Sequence, residues 1–386
     1  MHEANLTRFG PLTVESRTHT ENFRAMEGPG TLAVSGSGSA DVLVNGQPVD
    51  GDVVSLKKDN AIEIKASGEA TVRVRQLAQA DIGIVCQGYF GLNTTDIEKQ
   101  RDFYKMLGFI GEIYPAGPET SQMFAQALGF EDDYLIHVSL HSLQDPPTMP
   151  FVDTVQFRED SYREEPPYAR LNHLGMTYAT YSTTDLQGAY EFLVSQGVEF
   201  LSEPATAPNG ERFVFMKEQD GAFIKLVAVE GEVGSAPNFQ RLVNTNMNVS
   251  DLERSREFYR LLGFSGSAPG AQSGDGEFAA AHGFDSAIEF KGEDVSLGEG
   301  TDGATIQLRQ WVTPYDDEPP YPPPVNHLGI DRINFYVKDL TAAVKTMNDL
   351  GFEQLGPIGG MPEVGIVFFY DPDGIKFQIA GPQNVS

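Results

Sequence analysis

The sequence contains itself twice, and a chain that repeats at a fixed offset folds as copies of one unit. DFYKMLGF, with Phe103 and Gly108, returns as EFYRLLGF with Phe258 and Gly263, an offset of 155. EPPY followed by NHLG, with Glu165 and His173, returns with Glu318 and His327 at offsets of 153 and 154, and the QDG of Asp220 returns as the DPDG of Asp373. Two tandem modules are therefore predicted, over residues 87–230 and 238–383. Each module is itself double: Asp96, Asp185, Asp251 and Asp339 are each followed twelve residues later by a glycine, namely Gly108, Gly197, Gly263 and Gly351. Aspartate caps a helix start because its carboxylate accepts the unpaired first-turn N–H groups, and glycine just past the end takes the left-handed conformation that pairs the last carbonyls. Four helices of about 11 residues, each ~16 Å long, are predicted from this spacing. A strand-like run precedes each helix (YFGLNT, MTYATYS, VNTNMNV and RINFYV) and two or three more follow it. The predicted class is α+β, with four βαβββ units in two modules.

Residues 31–77 read differently, as short alternating strands with Asn45-Gly46 and Asp50-Gly51 between them, so a small all-β domain is expected over residues 1–80. Its histidines, His2 and His19, both precede these strand runs, and SGSGS, Ser35 to Ser39, lacks the strand-turn-helix setting of a nucleophile elbow or phosphate loop. A structural or docking role is expected there. The formal net charge is −28, which excludes a nucleic-acid or anionic-lipid binder, since both need clustered Lys and Arg. The single cysteine, Cys86, rules out an internal disulfide or a thiolate zinc cage. No stretch of 18 apolar residues and no basic-then-apolar leader occurs, so a cytoplasmic, membrane-free protein is expected, and nothing in the composition opposes a homo-oligomer.

The four Asp-Leu or Asp-Ile helix starts, the two FYxxLGF segments, NHLGI at Asn326 to Ile330 and DPDGI at Asp371 to Ile375 resemble the vicinal oxygen chelate superfamily. That superfamily includes glyoxalase I, bleomycin-resistance proteins and extradiol ring-cleaving dioxygenases. The resemblance covers about 300 residues and implies that paired units curl into a half-open barrel around one cavity. In metal-dependent members one divalent ion is held by residues seven before each helix-starting Asp and four after the DPDG glycine. In the first module these positions are Tyr89, Tyr178 and Lys225, with His137 of IHVSLHS estimated as the fourth; in the second they are Asn244, Arg332 and Gln378, with Gln307 of TIQLRQW estimated likewise.

Neither set suits a divalent ion, which needs imidazole or carboxylate lone pairs, while a guanidinium at a ligand position repels it. No cofactor is expected, and a divalent Fe, Mn or Zn ion remains open only off the pattern, through His137 and His141. Tyr89, His137, Tyr178 and Lys225 have instead the residue types for proton transfer, and Asn244, Gln307, Arg332 and Gln378 those of a hydrogen-bonding cage for a carboxylate or carbonyl. Asp331 is expected on the face opposite Arg332, because neighbours in a strand alternate. His173 and His327 read as parts of the linkers between half-modules, Gly266 to Gly276 as a lip over a cavity, and the acidic residues Asp316 to Glu318 and Glu164 to Glu165 as solvated surface. The expected function is an enzyme acting on a small organic, aromatic or cyclic substrate with a carbonyl or enol oxygen, by metal-independent lyase or isomerase chemistry. The alternatives are an extradiol-type dioxygenase with displaced ligands and a non-catalytic small-molecule binding protein.

Overall fold

The structure, a computed structural model, describes residues 82–383 except 115–118, 121, 132–133, 159–167, 267–269, 298–304, 317–324, 350–351 and 353. Before residue 82 it describes the paths of eight strands alone, so His19, Asn45-Gly46 and Asp50-Gly51, like Glu164, Glu165, Glu318 and Gly351, lie outside the described residues. Those eight strands, between Leu12 and Ala78, pair antiparallel in two four-stranded sheets, in keeping with the small all-β domain. Residues 1–83 group with 257–263 and 341–353 in one compact unit; residues 84–256, 264–340 and 354–386 form the other, which carries both large sheets.

Four strand-helix-strand units follow one another. The first comprises β1 (Ile84–Asn93), α1 (Ile97–Met106), β2 (Gly111–Ile113), α2 (Gln122–Ala127), β3 (Leu135–Ser142) and β4 (Phe151–Phe157). The second has β5 (Tyr178–Thr183), α3 (Leu186–Ser195), β6 (Arg212–Lys217) and β7 (Phe223–Ala228). In the third are β8 (Phe239–Asn248), α4 (Leu252–Leu261), β9 (Gly270–Gly274), α5 (Gly276–Ala281), β10 (Ile288–Ser296) and β11 (Thr305–Thr313). The fourth holds β12 (Gly329–Val337), α6 (Leu340–Asp349), β13 (Gly359–Met361), β14 (Val364–Tyr370) and β15 (Lys376–Gly381). The four expected helices are present, each 10 residues long. Asp96, Asp185 and Asp251 accept the backbone N–H three residues on at 3.2, 2.9 and 3.1 Å, and Gly108, Gly197 and Gly263 take φ of +94°, +85° and +94°. The short helices α2 and α5 are additions that the strand-helix-three-strand reading lacked.

The units do not pair within their own modules. In sheet one the order is β2-β3-β4-β1-β12-β15-β14-β13, and in sheet two β6-β7-β5-β8-β11-β10, with short edge strands completing nine in each. Antiparallel contacts of β1 with β12 and of β5 with β8 thus join unit one to unit four and unit two to unit three. Two asparagines hold this exchange in place. Asn93 Nδ2 donates to the carbonyls of Val325 and His327 at 2.8 and 2.7 Å, and Asn248 Nδ2 to those of Leu171 and His173 at 2.7 and 2.6 Å. The two NHLG segments are therefore linkers gripped by the other module, and their histidines each turn Nδ1 to a neighbouring carbonyl, that of Leu174 or Leu328, at 2.8 Å.

The repeated turn aspartates work inside a module instead. Asp220, before β7, accepts from Thr94 Oγ1 and Thr95 N and Oγ1 at the start of α1, and Asp373, before β15, accepts from Ser250 N and Oγ at the start of α4. A buried side chain with several partners leaves each of them unpaired when it is removed. Asn248→Ala is therefore expected to destabilise the protein by roughly 2–4 kcal/mol in urea unfolding; a loss below about 1 kcal/mol would mean that the linker is held by other contacts.

Candidate active site

The exchange of units redistributes the expected site residues. Residues paired across a parallel ladder share a face, and Lys225, Gln307 and Gln378 lie opposite Thr180, Asn246 and Asn334, two residues beyond Tyr178, Asn244 and Arg332. The same register in unit one selects Asp153, opposite Gly91, rather than His137. Sheet one thus gathers Tyr89, Asp153, Arg332 and Gln378, and sheet two gathers Tyr178, Lys225, Asn244 and Gln307. The expectation that Tyr89 and His137 converge with Tyr178 and Lys225, and Arg332 and Gln378 with Asn244 and Gln307, is corrected by this topology.

His137 lies on β3, opposite Gln156, three residues from the Leu140 that faces Asp153, so strand alternation turns it to the other side of the sheet. There its ring lies 4.9 Å from that of Tyr114, while His141 stacks at 5.0 Å on Tyr104 of α1. Burial pushes the His141 imidazole down to about 4. Among the described residues no group of three or more His, Cys, Asp or Glu is placed to hold a metal ion.

On sheet one the guanidinium is paired. Arg332 Nη2 lies 2.6 Å from Asp153 Oδ2 and its Nη1 2.5 Å from Asp331 Oδ1, while the Tyr89 hydroxyl donates to Gln378 Oε1. Asp331 was expected on the opposite face. Ile330 pairs with Leu92 and Arg332 with Gly91, so Asp331 is the extra residue of a β-bulge, which breaks the alternation. A Cβ on Gly91 would stand 2.4 Å from Arg332 Cζ, so the missing side chain makes room for the guanidinium. This face already carries the Arg332 guanidinium and, opposite it on the parallel ladder, Lys376, and does not fit a divalent ion.

Sheet two opens onto a cavity of about 340 Å³, lined among others by Phe213, Lys225, Phe278, Phe290, Gln307 and Arg309. Gly270, Ala271 and Gln272 of the glycine-rich segment also line it, as a lip would. Lys225 is 5% exposed, and its Nζ lies 2.5 Å from Glu211 Oε1 and 5.0 Å from the Phe213 ring centre. Burial lowers the lysine pKa, with Glu211 opposing the shift and Arg309 adding to it. Asp294 accepts from Asn244 Nδ2 at 3.3 Å and Gln307 Nε2 at 3.1 Å, and Tyr178 donates to Gln307 Oε1 at 2.5 Å. Burial raises the Tyr178 pKa, so its phenol stays protonated. An ammonium and a guanidinium stand here beside the carboxylates of Glu211, Glu293 and Asp294, two of which already hold a cation, and this set does not fit a divalent ion.

Sequence reasoning missed three groups here. Asp153 was legible, because Gln307 lies 154 residues after it, the repeat offset, whereas His137 has Lys291 at that distance. Arg309 follows Gln307 by two and so shares its face. His282, just after α5, had no signal. Its Nδ1–H donates to Phe278 O at 2.9 Å among the rings of Phe213, Phe215, Phe278 and Phe290, and burial, helped by Arg309, pushes it down to about 3.

A histidine held neutral in the fold gains its proton on unfolding, so the unfolded chain binds more protons between the ordinary value near 6.5 and about 3. Stability is therefore expected to fall as pH drops from about 6.5 toward 4, and His282→Phe to flatten that dependence when urea midpoints are measured across the range. An unchanged slope would mean that His282 titrates freely in the fold.

The family model described as Glyoxalase/Bleomycin resistance protein/Dioxygenase superfamily matches residues 87–226 and 241–379. Among solved structures, a glyoxalase I mutant from Zea mays aligns with a TM-score of 0.53 at 15% identity, covering 77% of this chain and 92% of that one. Glyoxalase I from Zea mays aligns at 0.51 and 15%, with the same coverage of 77% and 92%. A putative dioxygenase from Bacillus subtilis gives 0.48 at 12%, covering 79% and 86%. Likeness at such identities concerns the fold alone. Comparison with curated proteins yields no match. With both tandem segments matched, over more than half of its length, this chain belongs to the glyoxalase/bleomycin resistance protein/dioxygenase superfamily.

Proposed function

We propose that the protein is an enzyme that moves a proton beside a carbonyl or enol oxygen of a small organic molecule, as a lyase or isomerase, in the sheet-two cavity and without a catalytic metal. The observation that carries this reading is Lys225: a buried amine at the cavity wall, at a position where the resemblance expects a metal ligand, with its pKa lowered by burial. Desolvation destabilises the ammonium, so the neutral amine, the form able to take a proton, is populated at lower pH than in water.

In the forward step Lys225 Nζ takes a proton from the carbon next to the carbonyl, and the C–H electron pair moves to the carbonyl oxygen as an enolate. The amide N–H of Gln307, which lines the cavity, is a neutral donor that can turn toward such an oxygen, with Tyr178 hydrogen-bonded to that amide and Asn244 to Asp294. The ammonium then returns its proton to a different carbon, which isomerises the substrate, or to a leaving group that departs with its bonding pair, which completes an elimination. The aromatic walls from Phe213, Phe278 and Phe290 suit a cyclic or aromatic body. A second reading, ligand binding without turnover, is favoured by one observation: Lys225 is already engaged by Glu211 at 2.5 Å.

Deuterium incorporation from D2O into a panel of cyclic and aromatic ketones, followed by NMR after treatment with chelator, tests the reading. Exchange is expected to persist without metal and to fall roughly 100-fold or more in Lys225→Met, with folding checked by circular dichroism. Since Glu211 raises the lysine pKa, Glu211→Gln is expected to move the basic rise of the rate to lower pH. Exchange or oxygen uptake that depends on added Fe(II) or Mn(II) would overturn it in favour of a dioxygenase. Ligands that bind and return without exchange would favour plain binding.

A further inference from the structure

We infer that Arg309 anchors a carboxylate, and that the ligand class of the sheet-two cavity is a compact, ring-bearing monocarboxylate. The inference deepens the function proposed above and rests on its choice of cavity. Arg309 is 5% exposed and lines the cavity, with its Cζ 3.9 Å from the Phe290 ring centre and 5.6 Å from that of Tyr178. Its Nη1 is buried and has no hydrogen-bond partner among the described residues, and no carboxylate there forms an ion pair with it. The contrast with three other cations, two on strands and one on α4, is direct. Arg332 has Asp153 and Asp331 within 2.6 Å, Lys225 has Glu211 at 2.5 Å, and Arg256 has Glu293 at 2.5 Å.

A guanidinium does not shed its charge, and burying it with donors unpaired is costly. A ligand oxyanion removes that cost, and a carboxylate matches the planar fork with two oxygens. The rest of the lining bounds the ligand's charge. Glu211 and Glu293 each hold a cation, but Asp294 carries only amide partners and would repel further negative charge. One carboxylate is therefore accommodated, whereas the double charge of a phosphate monoester is opposed. Size points the same way: about 340 Å³ is near the lower end of the roughly 300–1,000 Å³ of ligand cavities. The rings of Phe213, Phe278 and Phe290 supply apolar walls for a cyclic body.

Calorimetric titration of the full chain with benzoate, benzamide and phenyl phosphate is the test. Benzoate is expected to bind at least tenfold more tightly than benzamide, which has its shape without its charge, and more tightly than phenyl phosphate. Arg309→Gln should abolish the preference for benzoate, Arg309→Lys should keep part of it, and Asp294→Asn, which removes the opposing charge, should strengthen benzoate binding severalfold. Equal binding of benzoate and benzamide, no binding of benzoate, or an unchanged preference in Arg309→Gln would overturn the inference, as would tighter binding of phenyl phosphate. The wild-type comparison decides the matter even where an Arg309 variant does not fold. Benzoate binding that survives in Lys225→Met, in a protein that exchanges no substrate hydrogen, would sustain the anchor while refuting proton transfer. Exchange on neutral ketones with no carboxylate preference would do the reverse.

Discussion

Antiparallel pairing of β1 with β12 and of β5 with β8 is the constraint on which the other features depend. Each pairing joins first strands from different modules, so both sheets are made of one unit from each. A strand's neighbours decide which side chains meet, because paired residues share a face and successive residues alternate. Asn93 and Asn248 lock the choice by bonding two linker carbonyls apiece. The turn aspartates Asp220 and Asp373 tie the two units of each module together at the helix starts. One set of contacts thus works within the tandem repeat and the other across it.

The two faces built this way answer the same problem, a buried cation, in opposite manners. On sheet one, Arg332 is met by Asp153 and by Asp331, which a bulge swings onto its side, and Gly91 leaves space for the guanidinium. Removing either carboxylate would leave charge uncompensated, so that face is a structural pair of the kind that is costly to break. On sheet two, Lys225 has its carboxylate but Arg309 does not, and a cavity stands in front of both. Unsatisfied charge beside open volume is the combination that a ligand completes, and it separates the two faces more sharply than residue type does.

Much of the fold was legible. The Asp-to-Gly spacing marked four helices because capping chemistry is local, and the offsets near 154 marked the modules because homologous units keep their length. The strand positions of Tyr178, Lys225, Asn244 and Gln307 were readable for the same reason. His137 was misplaced by choosing β3 for β4, an error the repeat offset itself exposes through Asp153. Asp331 could not be read, since nothing in GIDRINF announces a bulge.

Chemistry that depends on a few neighbouring residues was therefore decided by the sequence alone: caps, turns, alternation within a strand, and the repeat. Which positions share a site was decided only by the tertiary structure. Tyr178 and Gln307 are 129 residues apart and belong to different modules, yet their side chains hydrogen-bond. Tyr89 and Tyr178, in one module, lie on different sheets. Either partnering of equivalent units satisfies the same local pattern, and the choice between them comes from contacts between strands and linkers far apart in the chain, which no local spacing encodes.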